Sequence, residues 1–413
     1  MSLTSLAAPI LANADQFLVD GKHAAIAWLV HFLPAAWQDV ITGVLSILFT
    51  IAPITIGFAT LFALSTWLER KGLGRIQNRM GPNRVGLPFL PWKLYGLGQP
   101  MADGIKMLIK EDIVPRNADK VLHFIAPVAL LVPAFLAFSV IPYGDGMVPI
   151  NLDAGLLFFF AIGASTELLV FCAGWASRNK YALLGSMRAI AQMISYELPL
   201  IISTFSVIMA VGSLSLVNIV DAQAGGFTQW HVFTPWGIAG FILFFISSLA
   251  EANRSPFDIP EGESEIIAGH LIEYSGFKYA LFFMAEYLGM FAMGGLAISL
   301  FLGGYHAPFA FLEGWLPGLV WFVGKLLVMI AMFIWVRGTM PRLRMDQLMN
   351  FAWKFMLPMS LLVVVAAGLW RFVGGGWVGW LICGGMIVAP YLALSRGLFK
   401  ARHWAKREYR YAD

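Results

Sequence analysis

Charge is what this sequence most lacks. Of 413 residues only 13% are charged, while 59% are hydrophobic, against about 25% and roughly 45–50% in an ordinary soluble domain. That leaves too little polar surface to solvate a compact particle of this length, which excludes a soluble globular protein. Cysteine is almost missing too. Cys172 and Cys383 lie in separate apolar runs with no second Cys or His at ligand spacing, so neither a disulfide framework nor a metal or iron–sulfur site is encoded. Gly72 and Gly74 begin a G-x-G without its third glycine, and no G-x-x-x-x-G-K loop or Ser/His/Asp hydrolase context occurs, which removes the common nucleotide and hydrolase readings. The seven histidines are scattered.

The apolar matter falls into nine runs of 16 to 34 residues, each read as a helix crossing a bilayer, which takes about 20 residues. Residues 40–68, 121–144, 222–250, 355–370 and 372–395 carry no formal charge; 154–177 contains only Glu167, 189–220 only Glu197, 279–312 only Glu286 and 314–336 only Lys325. The runs are continuous and do not alternate over ten residues, so they predict an all-α polytopic transmembrane helix bundle of about nine spans and argue against a β-barrel. Three parts follow: a non-spanning extension at 1–38, a membrane core with eight spans at 39–372, and an extension at 373–413 with the ninth span and a basic tail.

The net charge of +4 could suggest nucleic acid, but the placement of the charges points to a membrane instead. Of the 28 Lys and Arg, 25 fall in alternate loops and the final tail, Lys22 and Arg371 lie on the opposite side, and Lys325 lies inside a run. The positive-inside rule then sets the amino terminus outside and the carboxyl terminus in the cytoplasm. Ala12-Asn13-Ala14 has the look of a cleavage site, but no Lys or Arg precedes it and the apolar run before it is short. Residues 23–37 suit an interfacial or partner-contacting helix, being too short to span.

Polar residues concentrate in three places. The loop 69–120 opens with Glu69-Arg70-Lys71-Gly72-Leu73-Gly74-Arg75 and runs through Arg79, Gly81, Pro82 and Gly86; its glycines and proline predict tight backbone in place of continuous helix. Further on, Met101, Ile105, Leu108 and Ile109 recur at helical spacing opposite Asp103, Lys106 and Lys110, which predicts an amphipathic helix at the membrane surface; a basic loop that merely sets topology is the alternative. The second concentration is Glu251-Ala252-Asn253-Arg254-Ser255-Pro256-Phe257-Asp258, followed by Glu261, Glu263, Glu265 and Glu273-Tyr274, six carboxylates against only Arg254 and Lys278. Crowding and partial burial raise carboxyl pKa values, which suits groups that exchange protons near neutrality; a solvated acidic loop remains the alternative. Third are Glu167, Glu197, Glu286 and Lys325 inside the runs. An ionisable group at that depth faces the bundle interior, a wet cavity or a partner. Glu197 follows Ser195-Tyr196 and precedes Pro199, which predicts a helix irregularity beside it. For Glu167 and Lys325 a structural ion pair is an equal alternative to a relay.

Taken in order, the blocks 69–86, 99–106, 181–197, 250–265, 273–276, 283–287 and 341–348 resemble the quinone-site membrane subunit family of proton-translocating NADH:quinone oxidoreductase, the component designated H in bacterial respiratory complex I and the counterpart of mitochondrial subunit 1. The resemblance covers roughly 39–372. It implies a chain that is not catalytic alone and that holds the access tunnel for a lipid quinone, ubiquinone or menaquinone, while FMN and iron–sulfur clusters belong to partner subunits. It implies tunnel roles for Arg70, Arg79, Asp103, Arg254 and Phe283. It also implies a proton-coupling path through Glu69, Glu197, Glu251, Asp258, Glu261, Glu263, Glu273 and Glu286. The implied partners are peripheral quinone-site subunits, antiporter-like membrane subunits, the quinone and membrane lipids, in a bacterial inner membrane, with no nucleic acid. Three features depart from the pattern: residues 87–93 look inserted, Glu167 matches no family position, and both termini extend past the usual ends. The basic tail of Arg396, Lys400, Arg402, Lys406, Arg407 and Arg410 suits anionic lipid or a neighbouring subunit. Two rival readings stand beside this one, the membrane anchor of an energy-converting hydrogenase and a stand-alone secondary transporter. The intact blocks 69–86 and 250–265 weigh against the first. The lack of an internal repeat and the gathering of polar residues on one side weigh against the second.

Overall fold

A computed structural model describes residues 14–30, 35–86, 94–259, 268–312, 316–374 and 376–400. Ala12 and Asn13, the insertion 87–93, Glu261, Glu263 and Glu265, and the tail from Arg402 onward lie outside these residues. The described elements are helices: α1 (Ala14–Val30), α2 (Ala35–Ile76), α3 (Gln99–Ile109), α4 (Lys120–Leu136), α5 (Gly155–Ala176), α6 (Lys180–Val211), a short α7 (Leu216–Asp221), α8 (Pro235–Glu251), α9 (Gly276–Phe301), α10 (Gly318–Thr339), α11 (Met345–Phe351), α12 (Leu357–Val373) and α13 (Trp377–Lys400). A π-helical turn, Ala352–Met356, fuses α11 to α12.

Eight of these are long and apolar enough to cross a membrane, counting α11 and α12 as one, so the chain is an all-α multi-pass membrane protein. The ninth expected span is α8. Its 17 residues reach about 25 Å, short of the roughly 30 Å hydrocarbon layer. Much of α8 is buried against other helices, among them α6, α9 and α12. The apolar run from which it was expected begins at residue 222, but the Thr234 side chain accepts from Gly237 N at 3.1 Å with Pro235 in the first turn, and this cap sets the start. Residues 227–233 form two 3-10 turns instead. Hydrophobicity alone cannot mark such a boundary.

Three other expectations are corrected. Helix α2 does not break at Glu69 but continues unbroken to Ile76, and tight backbone begins only at Gln77. Its glycines serve packing: a Cβ on Gly72 would lie 3.0 Å from Ile334 Cγ2 on α10, and one on Gly74 3.0 Å from the Arg79 carbonyl oxygen and the Gly81 nitrogen. Helix α6 passes through Pro199 without interruption, because in lipid no solvent competes for its remaining backbone bonds. It then stops at Gly212, which adopts φ 82, whereas the apolar run continues to residue 220. The amino-terminal helix spans Ala14–Val30, not 23–37; Lys22 Nζ donates to Thr50 Oγ1 on α2 at 2.6 Å, and Asp15 Oδ2 accepts from Gly318 N at the start of α10 at 2.8 Å.

Helix α6 packs against α5, α8 and α12, while α9 packs against α4, α8 and α10. Of the eight long helices α9 is the most enclosed, with 72% of its most apolar window buried against none for α2. Helix α2 therefore presents its apolar surface to lipid or to another subunit.

Lys325 on α10 forms no ion pair with Glu167. Its Nζ donates to the carbonyls of Leu302 (2.6 Å), Gly304 (2.8 Å) and His306 (2.8 Å) and sits 4.2 Å from the Trp230 ring centre. The ammonium thus caps the carboxyl end of α9 and holds the following loop. Replacing it in Lys325→Met strands three carbonyls, at a cost of about 2–4 kcal/mol. The expected outcome is a lower thermal midpoint for the detergent-solubilised complex, and an unchanged midpoint would refute the cap.

Candidate functional site

Helix α2 delivers Glu69 to the end of the bundle where the basic loops gather. The carboxylate is buried, only 6% exposed, and receives three donors. Tyr287 of α9 gives its hydroxyl to Oε2, Arg337 in the last turn of α10 gives its guanidinium to Oε1, and Arg254 approaches Oε1 at 3.6 Å. Arg254 is itself buried, with its guanidinium carbon 4.0 Å from the Tyr287 ring centre and 5.8 Å from that of Phe283. A buried charge pair of this kind is tolerated only where its partners are complete, so four elements are bound to one position.

The segment carrying Arg254 is fixed from α6. Gln192 is fully buried, and its Nε2 donates to the carbonyls of Ala250 (2.9 Å) and Phe257 (2.8 Å) and to Asn253 Oδ1 (3.3 Å). One amide therefore satisfies backbone acceptors at both ends of the turn. Asp258 pairs with Arg342 at 2.9 Å, which ties the far end of the segment to the stretch before α11.

At the surface beside this cluster lies α3, which has no buried residue; Met101, Ile105, Leu108 and Ile109 are all exposed, as an interfacial helix requires. Asp103 accepts from Arg70 at 2.5 Å and from Gln99 at 2.9 Å, so α3 is moored to the residue after Glu69. Its carboxyl end meets α9, where Gly276 at φ 57 would place a Cβ 3.0 Å from the Lys110 carbonyl oxygen, and Lys278 pairs with Asp112 at 2.7 Å.

Inward from Glu69 the acidic residues form a second group. Glu167 of α5 and Glu197 of α6 are electrostatic neighbours, and both act on Glu251 at the end of α8. Glu251 and Glu286 line one cavity between α4, α5, α6 and α9, together with Thr166, Asn253 and His270. Such a chain of carboxyl groups in low dielectric can pass or store protons.

The predicted residues thus fall into separate places. Glu69, Arg254 and Phe283 meet; Arg70 and Asp103 pair beside them; Glu197, Glu251 and Glu286 belong to the inner group. Arg79 is exposed and donates to Gln77 at 2.7 Å in the turn after α2. Glu273 accepts from Asn179, the capping residue of α6, at 2.6 Å, away from the Glu69 donors. Sequence reading missed Arg337, Tyr287, Gln192 and His270. Tyr287 and Gln192 stood in blocks that carried the resemblance, but nothing local distinguishes Arg337 or His270. No group of three metal-ligating side chains occurs among the described residues.

The chain matches the NADH dehydrogenase family model over residues 49–368. It is 48% identical over 297 residues to the NADH-quinone oxidoreductase component designated H of Geobacillus kaustophilus (strain HTA426), covering 72% of this chain and 85% of that one. The protein of the same name from Geobacillus thermodenitrificans (strain NG80-2) is 46% identical over 312 residues, 76% of this chain and 89% of its own. That of Burkholderia vietnamiensis (strain G4 / LMG 22486) is 47% identical over 308 residues, 73% and 84% respectively.

Removing the Gln192 amide exposes the role of the turn that holds Arg254. Gln192→Leu leaves two buried carbonyls without a donor and is expected to cost about 1–3 kcal/mol each. Limited proteolysis of membranes should then cut in the 251–259 segment at rates at which the unaltered protein resists, and equal resistance would contradict the clamp.

Proposed function

We propose that this chain, which belongs to the NADH dehydrogenase family as a membrane subunit of NADH:quinone oxidoreductase, lines the route by which a lipid quinone reaches its reduction site. In the same reading it carries the acidic path that couples that reduction to proton movement. The observation that carries this reading is the buried Glu69 network, which lies between the exposed apolar helix α3 and the inner carboxyl group.

A quinone tail is apolar and its headgroup accepts hydrogen bonds. The exposed apolar face of α3 suits entry from the lipid, and Arg254 with Phe283 and Tyr287 offers a cationic and aromatic wall for the headgroup. Two-electron reduction demands two protons at the headgroup, and negative charge arising in a low-dielectric site acts strongly on neighbouring ionisable groups. Arg254 and Arg337 respond first, because Glu69 already holds them. Glu286 stands next to Tyr287 in the chain and lines the same cavity as Glu251, on which Glu167 and Glu197 act electrostatically. Glu167 thereby joins the path alongside its neighbour Glu197. Asp258, Glu261, Glu263 and Glu273 belong to the acidic funnel around its mouth, and Arg70, Arg79 and Asp103 shape the entrance.

Partners complete the system: peripheral subunits bring FMN and iron–sulfur clusters to the headgroup, and antiporter-like membrane subunits move protons. The chain sits in a bacterial inner membrane with its amino terminus outside and the basic tail in the cytoplasm, following the distribution of Lys and Arg.

Glu197→Gln keeps the shape of the side chain and removes its charge. The assembled complex is expected to lose at least about tenfold in quinone-linked NADH oxidation or in proton pumping; normal values for both in proteoliposomes would remove Glu197 from the path. Arg254→Ala is expected to depress quinone reduction far more than reduction of a soluble acceptor that takes electrons upstream. Equal losses with the two acceptors would mean misassembly and sink the role of Arg254 at the headgroup.

A further inference from the structure

His270 lies between α8 and α9 in the one-turn 3-10 helix Gly269–Leu271 and is 2% exposed. Its placement is forced by two glycines. Gly269 adopts φ 54, and a Cβ on Gly185 of α6 would fall 2.3 Å from Gly269 Cα and 3.2 Å from His270 N, so the backbone can lie flat on α6 only because both side chains are missing. The Phe282 ring stands edge-on to the imidazole with ring centres 5.6 Å apart. The ring is thereby directed into the cavity it lines with Glu251, Glu286, Asn253 and Thr166.

The cavity measures about 90 Å³. A water needs about 10–15 Å³ of such space and two to four polar partners, so several waters fit among these five polar residues. Two buried atoms on the wall have no partner among the protein atoms described, His270 Nδ1 and Glu251 Oε2. Buried polar atoms are almost always bonded to protein or to water, so both point to water held in the cavity.

We propose that His270 is a proton-relay residue, its imidazole handing protons between Glu286 and Glu251 inside this water-holding cavity. The inference rests on the proton-coupling reading above and adds to it a residue outside the carboxyl series. In the transfer, the Glu286 carboxyl releases a proton to one ring nitrogen while the proton on the other nitrogen passes through a water to the Glu251 carboxylate. Glu286 ends as carboxylate, Glu251 as carboxylic acid, and the imidazole is again neutral in its other tautomer; transfer in the reverse sense or reorientation of the ring restores it. Burial pushes the imidazole down to about 4, so at neutral pH the ring carries one N–H and one free lone pair, the state able to accept at one nitrogen and donate at the other.

The test uses the intact complex in proteoliposomes. His270→Phe keeps an aromatic ring and removes both nitrogens. Quinone-linked turnover with pumping is expected to fall at least about tenfold and to show a larger slowing in heavy water, while NADH oxidation by a soluble upstream acceptor is unchanged. Wild-type turnover, pumping and solvent isotope effect in that variant would overturn the proposal. If His270→Phe fails to assemble, His270→Ala with added imidazole decides: recovery of turnover upholds the relay, and no recovery overturns it. Glu251→Gln separates the two levels of argument. If it loses turnover while His270→Phe does not, only this inference fails; if neither loses turnover, the proton-coupling reading fails with it.

Discussion

One buried carboxylate organises the polar end of this molecule. Glu69 receives Arg254, Arg337 and the Tyr287 hydroxyl, and so joins the end of α2, the turn after α8, the middle of α9 and the last turn of α10. Removing a single partner from such a cluster leaves an uncompensated charge out of water, a penalty of about 3–5 kcal/mol, whereas an isolated surface pair contributes at most about 1 kcal/mol. The exposed Arg70–Asp103 pair belongs to the second kind. It can orient α3 but adds little to the stability of the bundle.

The same economy governs the irregular backbone. Where chain leaves a helix at membrane depth, its carbonyl and amide groups must find partners within the protein. Single long polar side chains supply several at once. Gln192 binds both ends of the Arg254 turn, Gln223 holds Ile219, Ser299 and Gly303, and Lys325 collects three carbonyls beyond α9. None of these residues needs to titrate or touch a substrate to be indispensable. A polar residue in an apolar stretch is therefore a staple as readily as a relay, and only its partners distinguish the two. Lys325, three carbonyls deep, is a staple.

That distinction also marks what could be read from the sequence. The long apolar runs announced the helices, and the spacing of Met101, Ile105, Leu108 and Ile109 announced α3, because both signals are local. Helix ends were poorly legible: the cap at Thr234 and the left-handed Gly212 lie inside apolar runs, and hydropathy does not respond to a single cap. Long-range partners were not legible at all. Arg337 and Tyr287 reach Glu69 across 268 and 218 residues, and no periodicity encodes such a meeting. The resemblance supplied Arg254 and Phe283 for the tunnel and Glu69 for the coupling path, without signalling that the three meet, and it assigned no role to Gln192 or His270, whose importance comes from what the fold sets against them.

Helix α9 carries a member of each polar group. Consecutive residues on a helix point about 100° apart, so Tyr287 can face Glu69 and Arg254 while its neighbour Glu286 opens onto the cavity of Glu251 and His270. No chain of contacts running along the bundle is needed to connect them. At an effective dielectric constant near 20, a unit charge appearing about 10 Å away changes an ion's energy by about 1.7 kcal/mol, enough to shift a protonation equilibrium more than tenfold. In the proposed coupling, a change in how Glu69 shares its guanidinium partners would reach Glu286 electrostatically, without any movement of α9. Of the long helices α9 is the most enclosed in the bundle, so little solvent lies between its two faces to screen such an effect.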